Sequence, residues 1–181
     1  EGMSTLIRIN DAIPILRKIK KANEVSFSSI VSPRKPFGFP TDFLKIQEKY
    51  NLPEIHDKEI KNGYSIIGSL NYKRTRKYLS KDYPIPRNKE AANKYKVFVS
   101  MSLDNGFDWS KERLKPFVGN PGEVVTENFL MIGPFDNEDT ANNVKNHMDT
   151  KFFHLLLFLK KVSQHVTSKV YECIPMQDFN D

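Results

Sequence analysis

The stretch PGEVVTENFLMIGPFDNEDTANNVKNHMDTKFFHLLLFLKKVSQHV, residues Pro121–Val166, decides the fold class of this chain. Within it, Val124–Ile132 gives the strongest strand signal, and Gly133 and Pro134 end it. A strand followed directly by helical patterns predicts a mixed α and β structure.

Two helices are predicted after this strand. Asn137–Met148 is helical, with Asp136 as its predicted N-cap and acidic residues in the first turn, where they complement the helix dipole. Thr150–Val162 is a second helix with almost no polar face, which is typical of a helix buried in a core. A short apolar strand, Val170–Ile174, is predicted near the C-terminal end.

The rest of the chain alternates less regularly. A helix is predicted from Asn10 or Asp11 to Ala22, and a shorter one from Thr41 or Asp42 to about Lys49. The other predicted strands are Val25–Val31, Tyr64–Leu70, Tyr72–Leu79 and Tyr95–Met101, and the predicted loops are residues 33–40, 82–92 and 103–121. We therefore expect an α+β fold: one domain over residues 3–181, with a central, mostly antiparallel sheet and helices at the N- and C-terminal ends.

Length and composition narrow the class of protein. A chain of 181 residues buries roughly two-thirds of its unfolded surface without disulfides or metals. The single cysteine, Cys173, excludes an intramolecular disulfide, so a reducing cytoplasm is expected. No stretch approaches the ~20 apolar residues of a membrane span, so no membrane partner is expected. Glu1 and Gly2, ahead of Met3, are interpreted as an expression scar.

Positive charge is concentrated in the middle of the chain. Residues 71–96 hold nine Lys or Arg and two acidic residues, whereas residues 123–181 hold five Lys and nine acidic residues. A localised basic field attracts polyanions such as nucleic acid. A solvated lysine-rich surface gives the same count, so charge alone leaves both interpretations open.

The sequence contains no catalytic signature. Its eight glycines are scattered singly, which excludes a Gly-rich phosphate or dinucleotide loop. Cys173 lies in an apolar run and is interpreted as a buried structural thiol, and Asp57 and Glu59 as a solvated turn. The histidines lack zinc spacing: His56, His147, His154 and His165. We therefore predict no catalytic residue, metal or cofactor site in this chain.

A basic strand is the first candidate binding element. If Tyr72–Leu79 is a strand, Lys73 and Lys77 share one face and Arg74 and Arg76 share the other. Arginine is the preferred bidentate partner of guanine, and lysine neutralises phosphate. The alternative interpretation is an edge strand whose charge prevents aggregation.

A stiff basic loop is the second candidate. Arg34 and Lys35 lie between prolines in Ser32–Gly38, and pre-ordering reduces the entropy lost when a loop binds phosphate. The alternative is an ordinary Pro-rich turn with Phe37 in the core. The complete set of predicted DNA-binding residues is Arg34, Lys35, Lys73, Arg74, Arg76, Lys77, Lys81, Arg87 and Lys89.

Three blocks of the chain resemble the C-terminal target-recognition region of bacterial adenine-specific DNA methyltransferases of type II restriction-modification systems. The first block is Val31–Gly38, and the second is Lys96–Ser100. The third contains Thr126–Phe129, Gly133–Phe135, Ala141–Val144, Thr150–Phe153, Gln164, Val170–Tyr171 and Pro175–Phe179.

The resemblance implies that this chain selects a double-stranded DNA sequence while an upstream domain, which binds S-adenosylmethionine, methylates adenine. No Pro-Pro pair is present, so the family's adenine-holding motif lies elsewhere in such a protein. Some relatives are fused to a nuclease, and the chain is expected to be an excised piece of a larger enzyme. In this mechanism, Lys and Arg from residues 73–96, with Arg34 and Lys35, hold phosphates while loop side chains read bases.

Two other classes remain as alternatives. A protein-interaction module would dock a partner subunit through the apolar helices and would bind it at high salt. A free-standing nuclease or other enzyme would need an acid cluster with a base, which this sequence does not supply.

Overall fold

The computed structural model describes residues 12–22, 24–45, 54–102, 114–160 and 166–180. Its strands are β1 (Tyr64–Leu70), β2 (Lys73–Leu79), β3 (Tyr95–Ser100), β4 (Phe117–Gly119), β5 (Glu123–Val125) and β6 (Phe129–Phe135). Its α-helices are α1 (Ile13–Ala22), α2 (Lys89–Ala92), α3 (Glu138–Met148) and α4 (Lys151–Lys160). The expected α+β class, with helices towards both ends, is confirmed.

The strands form two sheets of three strands each, in the orders β2-β1-β5 and β4-β3-β6. All pairs are antiparallel except β1 with β5. The single central sheet expected from the sequence is therefore two sheets. The predicted strand Val124–Ile132 is interrupted because the amide of Thr126 donates to Ile67 and that of Glu127 to Phe39. These bonds lead the chain out of one sheet and into the other.

The sheet β4-β3-β6 separates two hydrophobic clusters, because successive side chains of a strand point to opposite faces. On one face, Val97, Val99, Leu130 and Ile132 pack with residues of the helices. On the other face, Phe98, Phe129 and Met131 pack with residues of the second sheet and with the Phe-rich segment at residues 37–44.

Helices α3 and α4 follow the sequence prediction closely. Asn137, not Asp136, is the N-cap of α3, and its side chain accepts from the amide of Thr140 at 2.8 Å. Asp136 instead pairs with Lys94 at 2.9 Å. Helix α4 buries most of its apolar residues, as expected of a core helix: Phe153, Leu156, Leu157 and Leu159 are buried.

Two predicted strands are short 3-10 turns. Phe27–Ile30 replaces the strand Val25–Val31, since the hydroxyl of Ser26 accepts from the amide of Ser28 at 3.1 Å and bends the chain. Ser168–Tyr171 takes the first two residues of the predicted strand Val170–Ile174, and a turn follows at residues 172–173. Only isolated bridges remain, such as Val31 with Ile132.

Other differences lie in predicted loops. Strand β4 lies in the segment 103–121, and α2 lies in the segment 82–92. Residues 41–45 form turns, whereas the remainder of the helix predicted to Lys49 lies outside the described residues. The predicted caps Asn10 and Asp11, residues 103–113 and the end of the second C-terminal helix lie outside them as well. Among the described helices, none has the length and hydrophobicity to cross a membrane.

Candidate nucleic-acid interface

Strands β1 and β2 form a tight hairpin whose tip is the dipeptide Asn71-Tyr72. Leu70 pairs with Lys73 across the turn, and Asn71 and Tyr72 have positive φ angles of 51° and 60°. Two such residues form the loop whose twist matches that of a hairpin. The strand predicted to begin at Tyr72 therefore begins at Lys73, and Tyr72 is fully solvent-exposed at the tip.

The two faces of β2 differ as the alternation predicts. Lys73 and Lys77 lie on the face that ends in buried Leu79, and Arg74 and Arg76 lie on the other. Lys77 forms an ion pair with Asp57, so the turn containing Asp57 contacts the hairpin. Lys73 is exposed beside the tip.

Arg74 lies against two aromatic rings. Its guanidinium carbon is 4.2 Å from the centroid of the Phe117 ring and 5.5 Å from that of Phe129. Both distances are within the range of cation–π attraction. The two rings belong to the β4-β3-β6 sheet, so this contact holds the hairpin against the other sheet.

Arg76 is fixed by polar groups. Its Nη1 donates to the hydroxyl of Ser65 at 2.9 Å and forms an ion pair with Glu123. Glu123 is buried, and its second oxygen accepts from the amide of Asn120 at 2.8 Å. The Arg76 side chain remains 45% exposed.

The stiff loop places two basic residues on one buried carboxylate. Arg34 is 2.9 Å from Glu127, and Lys35 is 3.5 Å from its other oxygen. Arg34 remains 59% exposed, while Glu127 is only 11% exposed by side chain. Phe37 is fully buried, so the loop also fits the alternative interpretation, a Pro-rich turn with Phe37 packed in the core.

A second loop lies beside the first. The side-chain amide of Asn88 donates to the carbonyl of Pro36 at 2.7 Å, which joins residues 84–89 to the stiff loop. Arg87 and Lys89 flank Asn88 and are exposed, as is Lys81. A groove of about 660 Å³ runs between these loops and β6. Arg34, Lys35, Arg87 and Lys89 lie on these two joined loops and are named the loop cluster.

The turn at residues 126–129 connects the loop cluster to the hairpin. Glu127 binds Arg34 and Lys35, and Phe129 lies beneath Arg74. The amide of Thr126 donates to Ile67 of β1 at 3.0 Å. Residues far apart in sequence therefore meet around one turn, which places basic side chains from both elements on a common support.

Lys96 corrects the expectation that residues up to Lys96 hold phosphates. It is completely buried, and its ammonium group lies 3.1, 2.8 and 2.6 Å from the carbonyls of Ala91, Ala92 and Lys94. Burial lowers the pKa of Lys96 to about 7, and the Glu123 carboxylate opposes that effect. Lys96 therefore caps the end of α2. Its position inside the apolar strand KVFVS is the sequence signal for burial.

The remaining candidate groups belong to the scaffold. Burial raises the pKa of the partly buried Cys173 thiol. His147 lies among the rings of Phe27, Phe153 and Phe179, and burial lowers its pKa. In the part of the chain that the structure describes, no three His, Cys, Asp or Glu side chains are grouped to hold a metal.

Comparisons of this chain with protein-family models, with curated proteins and with solved structures each returned no match.

Proposed function

We propose that this chain is a sequence-specific recognition module for double-stranded DNA that serves an adenine-N6 methyltransferase of a restriction-modification system. In this proposal the chain orients the duplex, and an upstream S-adenosylmethionine-dependent domain performs the methylation. The DNA-binding part rests on the geometry of the hairpin. The methyltransferase part rests on the sequence blocks that resemble that family.

The observation that carries the proposal is the exposed tip of the β1–β2 hairpin. Tyr72 is fully exposed there and is followed by the exposed residues Lys73 and Arg74. A two-stranded ribbon fits the major groove, which is about 12 Å wide. Strand β1 is the middle strand of its sheet and pairs with β5 only at residues 65–67, so the free two-stranded ribbon consists of residues 68–70 and 73–75 with the tip. At a rise of about 3.3 Å per residue this ribbon is roughly 10 Å long, which spans about three base-pair steps.

Basic residues near the base of the hairpin are suited to bind DNA phosphates. The loop cluster and Lys81 carry the exposed charges of the other predicted DNA-binding residues. Phosphate contacts fix the register of a protein on DNA, whereas groove contacts distinguish sequences. The arrangement therefore separates a gripping surface from a reading element.

The family-like third block supports a scaffold role. Its Ala141, Val144 and Phe153 side chains are fully buried, as is Thr126. Its resemblance to the methyltransferases then marks the core that holds the hairpin in place. Specificity would reside in residues 71–96, so exchanging that segment between related proteins should change the methylated sequence. An unchanged methylated sequence after the exchange would contradict this division of roles.

The experiment that tests the proposal compares two lysines of equal charge. Lys73→Gln should weaken binding of a fluorescent random-sequence duplex at low salt. Lys20→Gln should not, because Lys20 is exposed on α1, which packs on the face of the β4-β3-β6 sheet opposite to the hairpin. Equal, small effects of both variants would show that only overall charge attracts DNA, and that β2 is a charge-protected edge strand.

The protein-interaction alternative has less surface to use than the sequence suggested. Helix α4 exposes Phe152 by 43%, but Phe153, Leu156 and Leu157 are fully buried. Its apolar face is therefore occupied by the chain's own core. Salt-resistant binding to a partner protein, without binding to DNA, remains the result that would favour this alternative.

A further inference from the structure

We infer that Arg74 and Arg76 are the base-reading residues of this module, and that they select two guanines about two base-pair steps apart in the major groove. This inference rests on the proposed function and deepens it by assigning specificity to one face of β2. Lys73, Lys81 and the loop cluster then supply the sequence-independent contacts to phosphate.

Both arginines are held in place before any ligand binds. Arg74 lies on the rings of Phe117 and Phe129, and Arg76 is tied to Ser65 and Glu123. Fixing a long side chain in advance reduces the entropy lost on binding. Lys73 has no such support among the described residues, so it suits the less directional task of neutralising phosphate.

The two guanidinium groups keep donors for a ligand. The Arg74 guanidinium lies over the Phe117 ring, forms no hydrogen bond within the described part of the chain, and belongs to an exposed residue, so its N–H groups are available to a ligand. Arg76 uses Nη1 for Ser65 and Glu123, and no side chain or carbonyl among the described residues engages its Nε and Nη2 N–H groups. Guanine presents two acceptors, O6 and N7, in the major groove, which match a pair of N–H donors.

The spacing along β2 sets the spacing of the bases. Arg74 and Arg76 share one face, so their Cα atoms are separated by roughly 6.6 Å at about 3.3 Å per residue. Base pairs in DNA rise by about 3.4 Å each. Two residues along the strand therefore correspond to about two base-pair steps, with one unread pair between the guanines.

Arg76 has a carboxylate of its own, whereas Arg34 and Lys35 share one and keep a net positive charge. Glu123 balances the charge of Arg76, so Arg76 adds little to long-range attraction while retaining directional donors. Its replacement by lysine preserves charge but removes the planar donor pair. Charge-conserving variants therefore distinguish a base reader from a phosphate contact.

The test is selection of bound duplexes from a random pool by the wild-type chain, by Arg74→Lys and by Arg76→Lys. We expect the wild type to enrich two guanines two steps apart, and each variant to lose the preference at one of them. Changing either guanine to adenine should weaken wild-type binding about 5- to 150-fold. The control Lys73→Gln should weaken binding to every sequence and leave the selected motif intact.

The possible results distinguish failure of this inference from failure of the proposed DNA-binding function. Salt-sensitive binding with no motif, or a motif that both lysine variants retain, overturns the inference and leaves DNA binding standing. Failure of the wild type to bind at low salt overturns both.

A second measurement uses only wild-type protein, so it is independent of variant folding. Replacing the selected guanines by 7-deazaguanine removes the N7 acceptor and should lower affinity. An unchanged affinity would overturn the inference.

Discussion

The guanidinium carbon of Arg74 lies 4.2 Å from the centroid of the Phe117 ring, which joins the outermost strand of one sheet to an edge strand of the other. Phe117 is itself in contact with Phe98 and Phe129, with ring centroids 5.5 and 5.7 Å away. The orientation of the hairpin therefore depends on an aromatic group that belongs to the neighbouring sheet.

A double-mutant cycle should reveal this coupling. Arg74→Ala and Phe117→Leu should each destabilise the fold, and their coupling energy should be about 0.5–1 kcal/mol, the usual size of an exposed cation–π pair. Urea unfolding measures each free energy. As a control, Lys20→Ala combined with Phe117→Leu should show coupling within about 0.5 kcal/mol of zero. Equal coupling in both cycles would contradict the contact.

Glu127 should restrain the charge of the stiff loop. It is a buried carboxylate 2.9 Å from Arg34, so Glu127→Gln removes a negative charge close to the proposed phosphate path. Affinity for a random duplex should rise about twofold to fivefold, equivalent to roughly 0.5–1 kcal/mol. Glu24→Gln, at an exposed position, carries the same change in net charge. An equal rise in that control would show that position is irrelevant.

Lys96 should make stability increase with pH above neutrality. Burial lowers the pKa of Lys96 from its ordinary value of 10.5 to about 7. Between these values the unfolded chain binds a proton that the folded protein has released, so the free energy of unfolding rises with pH, by at most about 1.4 kcal/mol per unit.

The variant Lys96→Met isolates this effect, because methionine fills similar space without titrating. Urea unfolding at pH 7.5 and 9.5 should show wild type gaining stability relative to the variant. A constant difference would mean that the three carbonyl acceptors around Lys96 hold it protonated, as they favour the ammonium form.

His147 should make the fold sensitive to mild acid. Burial lowers the pKa of His147 below its ordinary value of 6.5, so the unfolded chain binds a proton that the folded protein does not. The neutral form stabilises the fold fully above pH 6.5, and that stability declines as pH falls below it. Thermal unfolding of His147→Phe should show a smaller loss between pH 7 and 5.5 than wild type. Identical losses would show that His147 does not titrate in this range.

Much of the fold could be predicted from the hydrophobic periodicity and from the Gly, Pro and capping residues that end each element. The strand Tyr64–Leu70 and the end of α3 at Met148 are as predicted, and α3 begins one residue after the predicted start, Asn137. The pairing partners could not be predicted, because sheet membership depends on contacts distant in sequence. The polar run Thr126–Asn128 is a local signal of the break, where the amide of Phe129 donates to the carbonyl of Thr126, whereas the amide bonds to Ile67 and Phe39 depend on distant residues.

The basic residues of the candidate site could be predicted from the sequence, but the carboxylates that bind them could not. The alternation of Arg74 and Arg76 against Lys73 and Lys77 follows from strand geometry and is confirmed. The carboxylates Glu123, which binds Arg76, and Glu127, which binds Arg34 and Lys35, lie about 50 to 90 residues away in sequence from these partners. Only the folded chain brings them together, just as only the folded chain buries Lys96.

The most direct test of the central claim is the affinity of this chain for a random-sequence duplex across a salt series. The account predicts tight binding at low salt, a linear loss of log affinity with log salt, and a slope smaller by about one in Lys73→Gln. No binding at low salt, or binding that is insensitive to salt, would contradict the account and make the basic hairpin a solvated edge of the sheet.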